Sequence, residues 1–181
     1  MKEIIKLAIK IILFPKKTWY EILHKEISYL FIFRYVLLLA LIGPILSFFS
    51  MFFLEGIYLK KTIAYSLTTY FLDIISVYAF AVFIRIFDKS ISFATALKIS
   101  AFGSTAIWLS DIVDIYQYLR PLSIIGFLYS LYLIYMGLKL SSKKDLKYIV
   151  GLLIIFSALY GINSLIAESI VQNPVIKEVI I

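Results

Sequence analysis

Residues 29–54 read YLFIFRYVLLLALIGPILSFFSMFFL, a run in which Arg34 is the one charged side chain. At about 1.5 Å per residue, a helix of this length exceeds the roughly 30 Å hydrocarbon thickness of a bilayer. Short polar breaks separate this run from four others, which predicts one all-α, polytopic membrane helix bundle with antiparallel neighbours. The five predicted transmembrane helices are residues 29–54, 63–87, 93–115, 121–140 and 146–167.

The composition agrees with this fold class and excludes several others. Of the 181 residues, 62% are hydrophobic and 16% are charged, against about 45–50% and about 25% in soluble domains. The chain has no Cys and one His, which excludes disulfides and thiolate chemistry and gives no metal-binding cluster. The sequence therefore predicts no metal and no cofactor.

The net charge of +7 indicates an orientation rather than a nucleic-acid partner. If the N-terminus is cytoplasmic, most of the Lys and Arg residues outside or at the ends of the spans lie on the cytoplasmic side. We therefore predict a multi-pass protein of the cell membrane with its N-terminus cytoplasmic and its C-terminus outside. The cytoplasmic set is Lys2, Lys6, Lys10, Lys16, Lys17, Lys25, Arg85, Lys89, Lys139, Lys143, Lys144 and Lys147, and the outer set is Lys60, Lys61, Arg120 and Lys177.

Residues 1–28 are predicted to form a basic, amphipathic N-terminal region at the membrane interface. Apolar residues recur at helical spacing up to Pro15, and Thr18 with Glu21 matches a capping box for a second short helix. Lys6, Lys10 and Trp19 are the predicted interfacial anchors. The alternative is that this region docks against the bundle. The five-span domain is then 29–167, followed by a short tail at 168–181.

Asp73 is the charged residue placed deepest in the spans, near the middle of the second one. An ionised side chain at the bilayer centre costs at least about 2.5 kcal/mol on insertion scales. Arg34, near the start of the first span, is long enough to reach toward it, so the two form a candidate intramembrane polar pair. Asp73 either serves a proton or cation pathway or fixes how two helices pack, and the packing role is favoured because transporters usually need more than one embedded carboxylate.

Two other features of the third span stand out. Asp111 and Asp114 share a helical face near one end and could hold a hard cation, although a polar helix end is the simpler interpretation. Gly103, Ser104 and Ala106 form a candidate packing motif, since small residues let a neighbouring backbone approach. In the first span, Gly43 and Pro44 predict a kink. No pattern typical of a catalytic site is present, and the sequence predicts no enzyme.

Short motifs along the chain resemble those of the Yip domain family, five-span membrane proteins named for their interaction with Ypt and Rab GTPases. The motifs are Phe14 to Trp19 with Ile22, Ala96 to Ala106 in the third span, and Tyr129 to Leu138 in the fourth. The resemblance covers nearly the whole chain and is closest to the prokaryotic branch. In eukaryotic members it would imply the organisation of vesicle traffic and the binding of prenylated GTPases. Of the family's motif near the first span, this chain retains Gly43 and Pro44.

The sequence supports two hypotheses about function. The first is a non-enzymatic, membrane-organising or partner-binding scaffold of the Yip type. The second is a small transporter or channel subunit that uses Asp73. The expected partners are the lipid bilayer and either a protein partner or further copies of the chain.

Overall fold

The computed structural model describes residues 1–116 and 118–172, except for the side chain of Asp114. These residues form α-helices joined by short turns, with a π-helical turn at Ser50–Leu54 and 3₁₀ turns at Asp111–Ile115 and Arg120–Leu122, and they include no strand. The α-helices are α1 (Lys2–Leu13), α2 (Pro15–His24), α3 (Tyr29–Leu39), α4 (Ile42–Phe49), α5 (Leu59–Phe87), α6 (Phe93–Gly103), α7 (Thr105–Ser110), α8 (Ser123–Ser141) and α9 (Leu146–Gln172).

The five predicted transmembrane helices are confirmed as helices long and apolar enough to cross a bilayer. The second begins earlier and the fifth extends further than the hydropathy pattern predicts, because helix continues through the polar residues at both places. Part of the predicted tail is thus helical, and residues 173–181 lie outside the described part of the chain. The spans are Tyr29–Leu54, Leu59–Phe87, Phe93–Val113, Arg120–Ser141 and Leu146–Gln172.

The first span is broken where the sequence predicts a kink. Helix α3 ends at Leu39, and α4 begins at Ile42. Pro44 has no backbone N–H, so it cannot bond the carbonyl of Ala40, and its ring disfavours a continuous helix. The prediction for Gly43 and Pro44 is confirmed.

The third span, built from α6 and α7, forms the centre of the bundle. In its most apolar window 78% of residues are buried, against 22% for α5 and 17% for α9. The Tyr35 hydroxyl on α3 lies 2.7 Å from the Thr105 hydroxyl, and the Ser130 hydroxyl on α8 accepts a 3.0 Å hydrogen bond from the amide of Ile107. Polar bonds therefore tie the first and fourth spans to the third.

Hydrogen bonds to Asp88 connect two loops at one end of the bundle. We call this end, formed by residues 88–92 and 142–145, the basic end. The buried Asp88 carboxylate accepts hydrogen bonds from the Ser90 amide at 3.0 Å and the Ser142 hydroxyl at 2.6 Å. Burial alone would raise its pKa, but these hydrogen bonds and the positive charge of Lys144 outweigh that effect and lower the pKa below the ordinary aspartate value.

Helices α1 and α2 form an N-terminal hairpin that bends at Phe14. Pro15 occupies the first turn of α2, where its missing N–H costs nothing. The predicted capping box is wrong, because Thr18 lies one turn inside α2 and donates instead to the carbonyl of Lys10 at 3.0 Å.

The hairpin packs against the bundle. The Tyr129 hydroxyl donates a 2.7 Å hydrogen bond to the carbonyl of Ile12. Tyr129 is 12 residues, or about 18 Å, from the basic end of α8. Helix α1 therefore meets the fourth span near its middle, which supports the docking alternative over a helix that lies flat on the leaflet.

Candidate intramembrane polar site

Asp73 points into the bundle, where its partner is Trp108. The indole of Trp108 is buried on α7, and its N–H donates a hydrogen bond to the Asp73 carboxylate. An indole N–H is a donor only, so this bond suits an acceptor group such as a carboxylate. The bond joins the second span to the central third span.

Arg34 is not that partner. Its side chain is exposed on α3, and no ion pair or hydrogen bond joins it to Asp73 in the described residues. The structure therefore does not bring together the pair that the sequence suggests. The exposed position of Arg34 is consistent with a side chain that extends along the bundle toward the headgroups.

Two adjoining cavities meet at Asp73, and the larger has the more polar lining. The larger has a volume of about 90 Å³ and extends from Asp73 toward the end of the bundle opposite the basic end. The smaller, of about 30 Å³, continues toward the bundle centre. Each exceeds the roughly 10–15 Å³ that one water molecule needs. Their polar lining comprises Ser47, Tyr65, Thr69, Asp73, Ser76, Ser104, Asp111, Tyr160, Asn163 and Ser164.

Asp111 supplies a second carboxylate to the larger cavity, beside Gly43 of the first span. A Cβ atom built on Gly43 would lie 2.5 Å from the Asp111 Oδ2 atom and 3.0 Å from its Cγ atom. Glycine at position 43 therefore lets the Asp111 carboxylate lie close to the backbone of the first span. The predicted pairing of Asp111 with Asp114 concerns a side chain outside the described part of the structure.

The cavities end toward the basic end in an apolar core. Asn163 and Ser76 exchange hydrogen bonds of 2.9 and 3.2 Å at the wall of the smaller cavity. Beyond them, Phe80 is completely buried, and its ring centroid lies 5.1 Å from that of Phe156. In the described residues, the polar lining therefore stops about halfway through the bundle.

This arrangement can hold water, a proton or a small cation between two carboxylates. The described residues contain no group of three or more His, Asp or Glu side chains that could hold a metal ion. Trp108, Tyr160 and Asn163 were not predicted from the sequence. Asn163 carried a usable signal, since an amide inside an apolar span is uncommon and usually faces the protein interior.

The family is decided by a comparison with protein-family models. The model of the Yip1 domain matches residues 9–167. The chain belongs to the Yip1 domain family. No curated protein and no solved structure matches the chain. The resemblance inferred from the short motifs is thus confirmed. The matched residues include helix α2 and every cavity residue named above.

Within this Yip1 domain, Gly103 and Ala106 of the third span lie against α8, whereas Ser104 lines the smaller cavity. Gly103 is buried, and a Cβ atom there would overlap the side chain of Ile134. Ser104 is also buried, where its hydroxyl donates to the Ser100 carbonyl at 2.9 Å. The Ala106 carbonyl lies 2.7 Å from a Cβ atom built on Gly126. Two of the three residues of the candidate packing motif therefore lie where the third and fourth spans are in close contact.

The predicted interfacial anchors separate into two groups. Lys6 is exposed on α1, and Lys10 pairs with Glu21 of α2 at 3.4 Å. The prediction for Trp19 is wrong, because this residue is completely buried. A Cβ atom on Gly137 would lie 3.1 Å from its ring. Glycine at position 137 thus lets the indole pack on the fourth span, away from the headgroups.

Proposed function

We propose that this Yip1 domain protein is a non-enzymatic scaffold that organises the membrane or binds a partner protein within it. One observation carries the proposal: the two cavities at Asp73 end against Phe156, which packs on the buried Phe80, so they do not form a path across the bundle. A transporter in this conformation would need a continuous polar route or a second access on the other side.

The surface offered to partners is the side of the bundle formed by α5 and α9. These two helices have 29 and 27 residues and are the least buried of the spans. Exposed apolar residues recur along α5 at intervals of four and seven, which places them on one face. They are Ile63, Leu67, Phe71, Ile75, Val82 and Ile86. This face can contact lipid, another membrane protein or a second copy of the chain.

The proposed location is the cell membrane, with the N-terminus cytoplasmic and the C-terminus outside. The distribution of Lys and Arg supports this orientation. The exposed Arg85 and Lys139 lie near the basic end, Lys89 lies in its first loop, and Lys143 and Lys144 lie in its second loop. In the proposed orientation the basic end faces the cytoplasm.

Site-specific photocrosslinking in native membranes tests the scaffold. A photoreactive amino acid is placed at Phe71 on α5 or Ile154 on α9, both strongly exposed. The matched control is Ile125 on α8, which is equally exposed but lies on another span. We expect the same discrete protein adduct from Phe71 and Ile154 and none from Ile125. Adducts to lipid alone at all three positions would contradict the scaffold.

A proton or cation pathway is the second candidate, because Asp73 and Asp111 line one cavity. Proteoliposomes loaded with a pH-sensitive dye, with sodium or potassium gradients, measure it directly. If wild-type proteoliposomes show flux and the equally stable Asp73→Asn variant does not, the protein is a transporter and the scaffold proposal is wrong. Under the scaffold proposal, wild-type and Asp73→Asn proteoliposomes show the same background flux.

A further inference from the structure

A charged groove separates the N-terminal hairpin from the start of the first span. Its volume is about 530 Å³, within the 300–1,000 Å³ typical of small-ligand pockets. It is distinct from the Asp73 cavities and shares no residue with them. The groove is lined by Glu3, Lys6, Leu7, Lys10, Glu21, Ile22, Lys25, Glu26, Ile27, Ser28 and Phe31.

The groove carries equal numbers of basic and acidic side chains, three Lys and three Glu. Lys10 and Glu21 pair with each other across the hairpin at 3.4 Å. Lys6, Lys25, Glu3 and Glu26 make no ion pair with any residue in the described ranges. Glu26 also experiences the positive charge of the nearby Lys98 ammonium group. The four side chains remain open to a ligand that bears both charges.

The surroundings of the groove indicate a lipid. Helix α1 has three faces: Ile4, Ala8 and Ile11 are buried against the bundle, and Lys6 with Lys10 lines the groove. The third face is an exposed apolar ridge of Ile5, Ile9 and Leu13. A ridge of this kind is suited to acyl chains, while the groove beside it is suited to a polar headgroup.

The position of the groove supports the same conclusion. Phe31, which lines the groove, belongs to the first turn of the first span. The hairpin packs along the fourth span through Trp19 beside Gly137 and Ile12 beside Tyr129. A headgroup in the groove would therefore remain connected to chains that lie along the membrane-embedded surface.

We propose that this groove binds the headgroup of phosphatidylethanolamine. Lys6 and Lys25 donate to its phosphate, and Glu3 and Glu26 accept from its primary ammonium group, as charge-assisted hydrogen bonds. An anionic headgroup such as that of phosphatidylglycerol leaves the glutamates without a partner and is repelled by them. A choline headgroup offers the carboxylates a positive charge but has no N–H, so it forms no charge-assisted hydrogen bond with them. This inference is independent of the scaffold proposal.

Native mass spectrometry of the delipidated full chain tests this site. The protein is titrated with phosphatidylethanolamine, phosphatidylglycerol and phosphatidylcholine that have identical acyl chains. We expect the ethanolamine lipid to bind at least fivefold more tightly than the other two. The variants Lys6→Gln with Lys25→Gln, and Glu3→Gln with Glu26→Gln, are each expected to remove that preference. The control Lys2→Gln with Lys16→Gln changes exposed lysines outside the groove and should retain it.

A labelling experiment checks the site without removing any charge. The chain has no native Cys, so Leu7→Cys places a single thiol in the groove. We expect phosphatidylethanolamine to slow maleimide labelling of this thiol severalfold, and the other two lipids to leave the rate unchanged. Equal affinity for the three lipids, a preference for phosphatidylglycerol, or groove variants that still prefer phosphatidylethanolamine would each overturn the proposal.

Discussion

The ammonium group of Lys98 on the third span donates a 2.7 Å hydrogen bond to the backbone carbonyl of Lys25. It also donates to the carbonyl of Ile22 at 3.0 Å. Both carbonyls lie at the C-terminal end of α2, where helix carbonyls lack partners and a cation is favoured. Lys98 is itself only 7% exposed. The bond fixes the N-terminal hairpin to the centre of the bundle.

Replacing Lys98 should loosen the hairpin while the spans remain folded. Hydrogen bonds from charged groups contribute about 1.5–3 kcal/mol, so Lys98→Met should speed hydrogen exchange of the α2 amides about tenfold or more. Exchange measured by mass spectrometry on the detergent-solubilised protein resolves α2 from α8. The control Lys147→Met removes an exposed lysine near the basic end and should leave α2 unchanged. Unaltered α2 exchange in Lys98→Met would show that the bond does not hold the hairpin.

The third and fourth spans meet at Gly126, where alanine should not fit. A Cβ atom there would lie 2.7 Å from the Ala106 carbonyl and would overlap Ser110. We expect Gly126→Ala to lower the free energy of unfolding by about 1–3 kcal/mol, the usual range for overpacking. Gly151→Ala on α9 is the matched control, since nothing lies within 4 Å of its Cβ position. There alanine should be neutral or stabilising by up to about 1 kcal/mol. Melting temperatures in one detergent compare the two variants, and equal losses would refute the close contact.

Acid should weaken the basic end through Asp88. Its folded pKa is lowered, so the stability it contributes is present above the ordinary aspartate value of about 3.9 and is lost as the pH falls through the folded pKa. We expect the wild-type melting temperature to fall between pH 5 and pH 3 more steeply than that of Asp88→Asn. Asp145→Asn, which changes an exposed carboxylate of the neighbouring loop, should keep the wild-type slope. Parallel curves for all three proteins would exclude Asp88 as the source.

The orientation can be tested with single cysteines, because the chain contains none. Lys143→Cys lies in an exposed loop of the basic end, and Tyr118→Cys lies at the opposite end, where Tyr118 is 72% exposed. A membrane-impermeant maleimide added to intact cells should label Tyr118→Cys and leave Lys143→Cys unlabelled until the cells are opened. The reverse pattern would invert the proposed topology.

Much of this fold could be predicted because each signal was local. The apolar length of residues 29–54 matches the span Tyr29–Leu54, and Pro44 marks the broken helix through its own missing N–H. Helix boundaries were less accurate: α5 begins at Leu59, since Lys60 and Lys61 are compatible with helix although they end the apolar run.

The polar site could not be predicted to the same extent, because its partners are distant in sequence. Asp73 and Trp108 are on different helices, and nothing in either local pattern indicates that they meet. Trp19 shows the same limit. In an amphipathic helix, Trp19 could contact either the lipid headgroups or a protein surface. The residue that leaves space for its ring, Gly137, lies far along the chain.

The docking of the N-terminal hairpin onto α6 and α8 has a consequence for the order of assembly. Its contacts with Lys98, Tyr129 and Gly137 involve segments that are synthesised long after residues 1–28 leave the ribosome. Trp19 has no surface to pack on until the fourth span is in the membrane. The first segment to be made is thus one of the last to complete its contacts with the bundle.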